Sequence, residues 1–118
     1  MARLSTHVLD TSRGGPAEGL AVDLYFCESA DSRAYVKTTT TNRDGRTDEP
    51  LIASDLLRPG VYELRFHVAA YFRRTGASTS DPPFLDEITV RFGVSDPGGD
   101  YHVPLLVSPY GYTTYRGS

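Results

Sequence analysis

The chain contains three histidines, His7, His67 and His102, and one cysteine, Cys27. No His-x-His or Glu-x-x-His spacing relates the histidines, so neither a structural nor a catalytic zinc site is expected. There is no Gly-x-Ser-x-Gly elbow, and Cys27 lies inside a strand-like run rather than at the start of a loop or helix. A covalent nucleophile therefore has little support. Any catalysis would activate water, with a neutral imidazole as the base available near pH 7.

The histidines differ in their neighbours. His67 shares a strand face with Glu63 and Arg65 in "VYELRFHVAA" and reads as a solvated group with no role. His7 in "LSTHVLD" has Ser5 and Leu9 on its face, and His102 in "DYHVPLLVSPYG" has Pro104 and Leu106. Each alone would be a structural residue. Two such faces are odd in solvent but natural on an enclosed wall. Arg46, after the turn "NRDG", would be a planar cation at a sheet edge, suited to grip a carbonyl, enolate or carboxylate through two parallel hydrogen bonds. The segment "YTTYRGS", Tyr112 to Ser118, alternates like a strand. In it Gly117, with no Cβ, would let backbone approach a ligand closely. Spacing alone does not gather His7, Arg46, His102 and Tyr115 into one place.

The elements that would position these groups are short, alternate with period two and are separated by Gly, Pro, Asn and Asp clusters, the pattern of an antiparallel all-β domain. Strands are predicted at about 4–10, 20–28, 34–41, 50–53, 61–69, 86–93, 101–107 and 111–117. Eight strands suggest two packed sheets. In the fifth, Tyr62, Leu64, Phe66 and Val68 fall on the core face and Glu63, Arg65 and His67 on the wet one; Val22, Leu24 and Phe26 point inward from the second. "AAYFRRTG", Ala69 to Gly76, reads as two helical turns closed by glycine. The glycines of "SRGGPAEG" are turn residues, since no Gly-Lys-Ser/Thr follows to make a phosphate cradle.

With 118 residues and no linker or repeat, residues 1–118 form a single domain. The balance of 12 Lys+Arg against 15 Asp+Glu, with no basic run, lacks the footprint of a nucleic-acid binder. No segment is long and apolar enough to suggest a signal peptide or a membrane span. A lone cysteine suits a reducing, cytoplasmic setting.

The stretches "LSTHVLDTSRGGPAEGL", "TNRDGR", "GVYELRF", "PPFLDEITVRF" and "YHVPLLVSPYGYTTYRGS" resemble those of 5-hydroxyisourate hydrolases, the transthyretin-like enzymes of urate (purine) degradation. The terminal Tyr-Arg-Gly-Ser is the most specific of these matches; transthyretin proper, a carrier of the same fold, lacks it. The resemblance implies a prealbumin-like β-sandwich of two four-stranded sheets with one short helix. It also implies a homotetramer with active sites in a channel where two dimers meet. The reaction implied is ring opening of 5-hydroxyisourate by water to 2-oxo-4-hydroxy-4-carboxy-5-ureidoimidazoline, with no metal or organic cofactor. Carried over by motif, the catalytic residues are His7, Arg46, His102 and the Ser118 carboxylate, and the substrate-binding residues are His7, Arg46, Tyr115, Arg116 and Gly117. His102 is assigned as base, with His7 orienting water or protonating the leaving nitrogen and Arg46 offsetting charge on oxygen; the two histidine roles are interchangeable at this level. The rival readings are a carrier that holds a small hydrophobic ligand in the same channel, and a purely structural sandwich, for which the paired cysteines and core tryptophan of immunoglobulin-like domains are absent.

Overall fold

A computed structural model describes residues 3–53 and 55–117. The elements run β1 (Arg3–Asp10), β2 (Gly15–Pro16), β3 (Ala21–Cys27), β4 (Arg33–Thr40), β5 (Gly60–Phe66), α1 (Val68–Thr75), β6 (Ile88–Val94), β7 (Asp100–Ser108) and β8 (Gly111–Thr114). They form two four-stranded sheets, ordered β2-β1-β7-β8 and β4-β3-β5-β6. Period-two alternation sends Leu4 and Val8 of β1, Val22 and Leu24 of β3, Leu64 and Phe66 of β5, and Leu105 and Val107 of β7 into one shared core, where all eight are fully buried.

Besides β2, a two-residue strand within the segment read as a turn, three features depart from the sequence expectation. The pairing of β1 with β7 is parallel, whereas an antiparallel domain was expected. Their partners lie almost a hundred residues apart, so no local turn signal marks the direction. The expected strand at 50–53 is replaced by a single bridge, Leu4 to Ile52. The edge of β1 is instead covered piecemeal, by β2 at one end, by Gly45 and Arg46 in the middle, and by Leu51 and Ile52 at the other end. The third departure is Glu63, expected on a wet face but only 5% exposed. Arg33 Nε and Arg65 Nη2 donate to its carboxylate at 2.9 and 3.2 Å and cover it. Burial pushes its carboxyl up, but these guanidiniums outweigh that and hold it below the ordinary range.

The helix lies where expected within one residue and ends on Gly76 in the left-handed conformation, whose N–H returns to the carbonyls of Phe72 and Arg73. Behind β1 it is anchored by Asp10, which is fully buried. The Asp10 carboxylate accepts Tyr71 Oη–H at 2.8 Å, Ser12 Oγ–H at 2.6 Å and the Ser12 N–H at 3.0 Å. Asp10→Ala strands the buried Tyr71 hydroxyl, while the exposed Ser12 donors turn to solvent, and a loss of about 1–3 kcal/mol is expected in a urea titration. An unchanged midpoint would mean that the anchor carries no stability.

Candidate active site

The outer face of the β2-β1-β7-β8 sheet is where the candidate residues meet. On β1 the buried positions are Leu4, Thr6, Val8 and Asp10, which turns Ser5 and His7 outward. The parallel register sets Ser5 beside His102 and His7 beside Pro104. Two isolated bridges complete the arrangement, His7 to Arg46 and His102 to Gly117. One row across the sheet thus reads Ser5, His102, Gly117, and the next begins Arg46, His7, Pro104.

Arg46 is delivered by the turn that the sequence marked. Asn42 Oδ1 accepts the N–H groups of Asp44 and Arg46, and Gly45 takes a positive φ of 76° that an L side chain rarely adopts. Val8 N–H donates to the Gly45 carbonyl at 2.7 Å, pinning the turn to β1. The same turn orients His7, whose Nε2 lies 2.9 Å from the Asp44 carbonyl. A carbonyl can only accept, so Nε2 carries the proton and Nδ1 is the bare nitrogen of neutral His7.

His102 is clamped along both edges of its ring. Nδ1 lies 2.9 Å from Ser5 Oγ. On the other edge a Cβ placed on Gly117 would come within 2.6 Å of His102 Cδ2, so a residue with a side chain would crowd the ring there. Gly117 N–H also donates to the His102 carbonyl at 2.8 Å. The close approach expected of Gly117 is therefore an approach to a histidine. Arg3, Ser5, Arg46, Asp100 and His102 line a cavity of about 260 Å³. Burial, and then the positive charge of Arg46 with contributions from His7 and Arg3, holds the His102 imidazole below its ordinary value. It stands neutral at pH 7.

The other expected residues lie differently. Arg116 turns to the far side of the tail, where its guanidinium stacks over the Tyr101 ring at 4.2 Å and Nη2 donates to the Asp100 carbonyl. Tyr115 and Arg116 line a separate groove of about 310 Å³ with Phe92, Tyr101 and Val103. Pro104 has no N–H to give Tyr115, so the ladder lapses after Thr114, whose Oγ1 donates to the Pro104 carbonyl, and resumes at Gly117. Ser118 lies outside the described residues. His67, given no role, lies on the other sheet's side, its Nε2 donating to Asp23 Oδ2 at 2.7 Å. Ser5, the Asp44 carbonyl, Arg3 and Asp100 are polar groups that sequence reasoning assigned no part; the placement of Ser5 on the His7 face was the one available signal.

A two-sheet sandwich that gathers two imidazoles and a guanidinium on one outer face defines a class whose site is built for polar chemistry. The chain belongs to the HIUase/Transthyretin family, which it matches over residues 4–117. It is similar to a protein named 5-hydroxyisourate hydrolase from Ralstonia nicotianae, with 52% identity over 100% of both chains. Among solved structures, (S)-allantoin synthase superposes with a TM-score of 0.92 at 42% identity over 99% of this chain, which spans 44% of that longer one. Transthyretin from Sparus aurata superposes with a TM-score of 0.86 at 28% identity, over 99% of this chain and 97% of the other. Both an enzyme and transthyretin share the fold, so the site residues must decide between their chemistries.

Proposed function

We propose that this chain hydrolyses 5-hydroxyisourate in urate degradation, opening the ring to 2-oxo-4-hydroxy-4-carboxy-5-ureidoimidazoline. The observation that carries this reading is His102, bonded to Ser5 in a cavity shared with Arg46, where burial and nearby positive charge favour its neutral form. His102 takes a proton from water as the water oxygen attacks the ring carbonyl. Arg46, exposed on the single chain, meets the negative charge that develops on the carbonyl oxygen. Collapse of the tetrahedral intermediate breaks the ring C–N bond and leaves a carboxyl group, while the departing nitrogen receives the proton. His7, with its Nε2–H committed to the Asp44 carbonyl, orients water or substrate through Nδ1.

Tyr115 is proposed to contact the flat ring and the Ser118 carboxylate to take part in catalysis. Gly117 shapes the wall, and Arg116 holds the tail to Tyr101 beside it. A carrier of hydrophobic ligands would line this face with apolar groups, so two imidazoles and a guanidinium favour hydrolysis over carriage. The half-buried Leu9 and Leu106 beside His7 give the face an apolar border that a second dimer would cover. A homotetramer is proposed on that ground, and sedimentation should find four chains. A fully active monomer would contradict it. A cytoplasmic location is proposed from the single free, buried Cys27.

Turnover in heavy-oxygen water tests the reaction. The enzyme-dependent share of the product gains one heavy oxygen in its new carboxylate; consumption of substrate without incorporation would overturn hydrolysis. The pH dependence follows from His102. The base works when neutral, so kcat/KM is retained above its folded pKa and lost as pH falls through it. Because that pKa is depressed, the acid limb lies below the ordinary histidine value of about 6.5. An acid limb above 6.5 would exclude His102 as the base.

A further inference from the structure

We propose that Ser5 is a positioning residue for His102, its hydroxyl oxygen accepting the Nδ1–H and so leaving Nε2 bare toward the cavity. This inference rests on the reading of His102 as the base. Nδ1 and Ser5 Oγ are 2.9 Å apart, and the pair exists only because β1 and β7 run parallel with Ser5 directly beside His102. Among the described residues this is the one side-chain hydrogen bond that either group makes. On the opposite edge Gly117 leaves only the room that a Cβ would fill, since one placed there would come within 2.6 Å of Cδ2.

The direction of the bond follows from the company that Nε2 keeps. Arg3 and Arg46 line the same cavity with groups that only donate, and Asp100 lies at its wall. An Nε2–H beside these cations could take no proton from water, which is what the base must do. A bare Nε2 can accept one, and as it does so the Nδ1–H bond to Ser5 is retained by the imidazolium. Ser5 thus serves both the resting base and its protonated form, while Thr6, its inward-facing neighbour, bonds the Val103 carbonyl and belongs to the core.

The test is histidine nitrogen NMR on the full chain without substrate, joined to steady-state kinetics of Ser5→Ala and Ser5→Thr. In the wild type, His102 should carry its proton on Nδ1; a resting Nε2–H form would overturn the proposal. Ser5→Ala should shift the tautomer toward Nε2–H and lower kcat on the order of 10–100-fold, as removal of a ring-orienting partner does, with KM little changed. Ser5→Thr should restore the tautomer and most of kcat. A Ser5→Ala enzyme with wild-type kcat, or a loss that Thr does not rescue, would count against it. The tautomer is read without turnover, so if the wild type proved inactive the function would fall while the nitrogen spectrum still decided the role of Ser5.

Discussion

Replacing His102 with Ala is expected to reduce kcat by about 10²–10⁴-fold while circular dichroism and assembly are unchanged. The side chain points from the outer face of β7, and the core beneath it is made by Tyr101, Val103 and Leu105 of the same strand, so the sandwich does not depend on the ring. What is lost is the neutral acceptor beside Arg46. Arg46→Ala should fall in the same range, about 10²–10³-fold, since its guanidinium is the donor proposed to meet the developing charge. His67→Ala is the matched control. It removes a histidine of similar exposure that pairs with Asp23 on the other sheet, and activity should stay within about two-fold, as for an exposed site remote from the chemistry. If His67→Ala proved as damaging as His102→Ala, the assignment of faces would be wrong.

The second large effect belongs to the tail. Gly117→Ala would put a methyl carbon 2.6 Å from His102 Cδ2, closer than real Cβ contacts come, and either the ring or the tail must move. Moving the ring breaks the bond to Ser5; moving the tail breaks the Gly117 N–H bond to the His102 carbonyl. Displacement of a catalytic group by about 1 Å costs on the order of 10²-fold in rate. Deletion of residues 116–118 removes the wall and the Arg116 stack on Tyr101 together, and most activity should be lost. Both variants should keep the fold, because β8 ends at Thr114. Wild-type kinetics in either one would make the tail a sheet edge and nothing more.

Much of this architecture was legible because alternation is local. "VYELRF" assigns Tyr62, Leu64 and Phe66 inward correctly, "LSTHVLD" puts Ser5, His7 and Leu9 on one face as observed, and the turn "NRDG" announces both itself and the arginine after it. What is not local was not legible. The parallel register of β1 and β7 is chosen by packing across the whole sandwich, so the neighbourhood of Ser5 and His102 cannot be read from either strand. Alternation told that Glu63 faces away from the core, but not that Arg33 from another strand would fold over it. The segment 50–53 has the composition of a strand, yet it meets β1 for one bridge only, because β2 and the Arg46 turn occupy the rest of that edge. Tyr115, Arg116 and Gly117 were treated as one motif, whereas the chain turns Arg116 to Tyr101 and sets Gly117 against His102.

The most direct test is the ultraviolet absorbance of 5-hydroxyisourate made freshly by urate oxidase, followed with and without this protein. The signal should decay faster in proportion to protein concentration, at catalytic ratios, and the acceleration should vanish with His102→Ala. A decay no faster than the protein-free control, with substrate retained one for one by the chain, would make this sandwich a carrier and contradict hydrolysis at the His102 face.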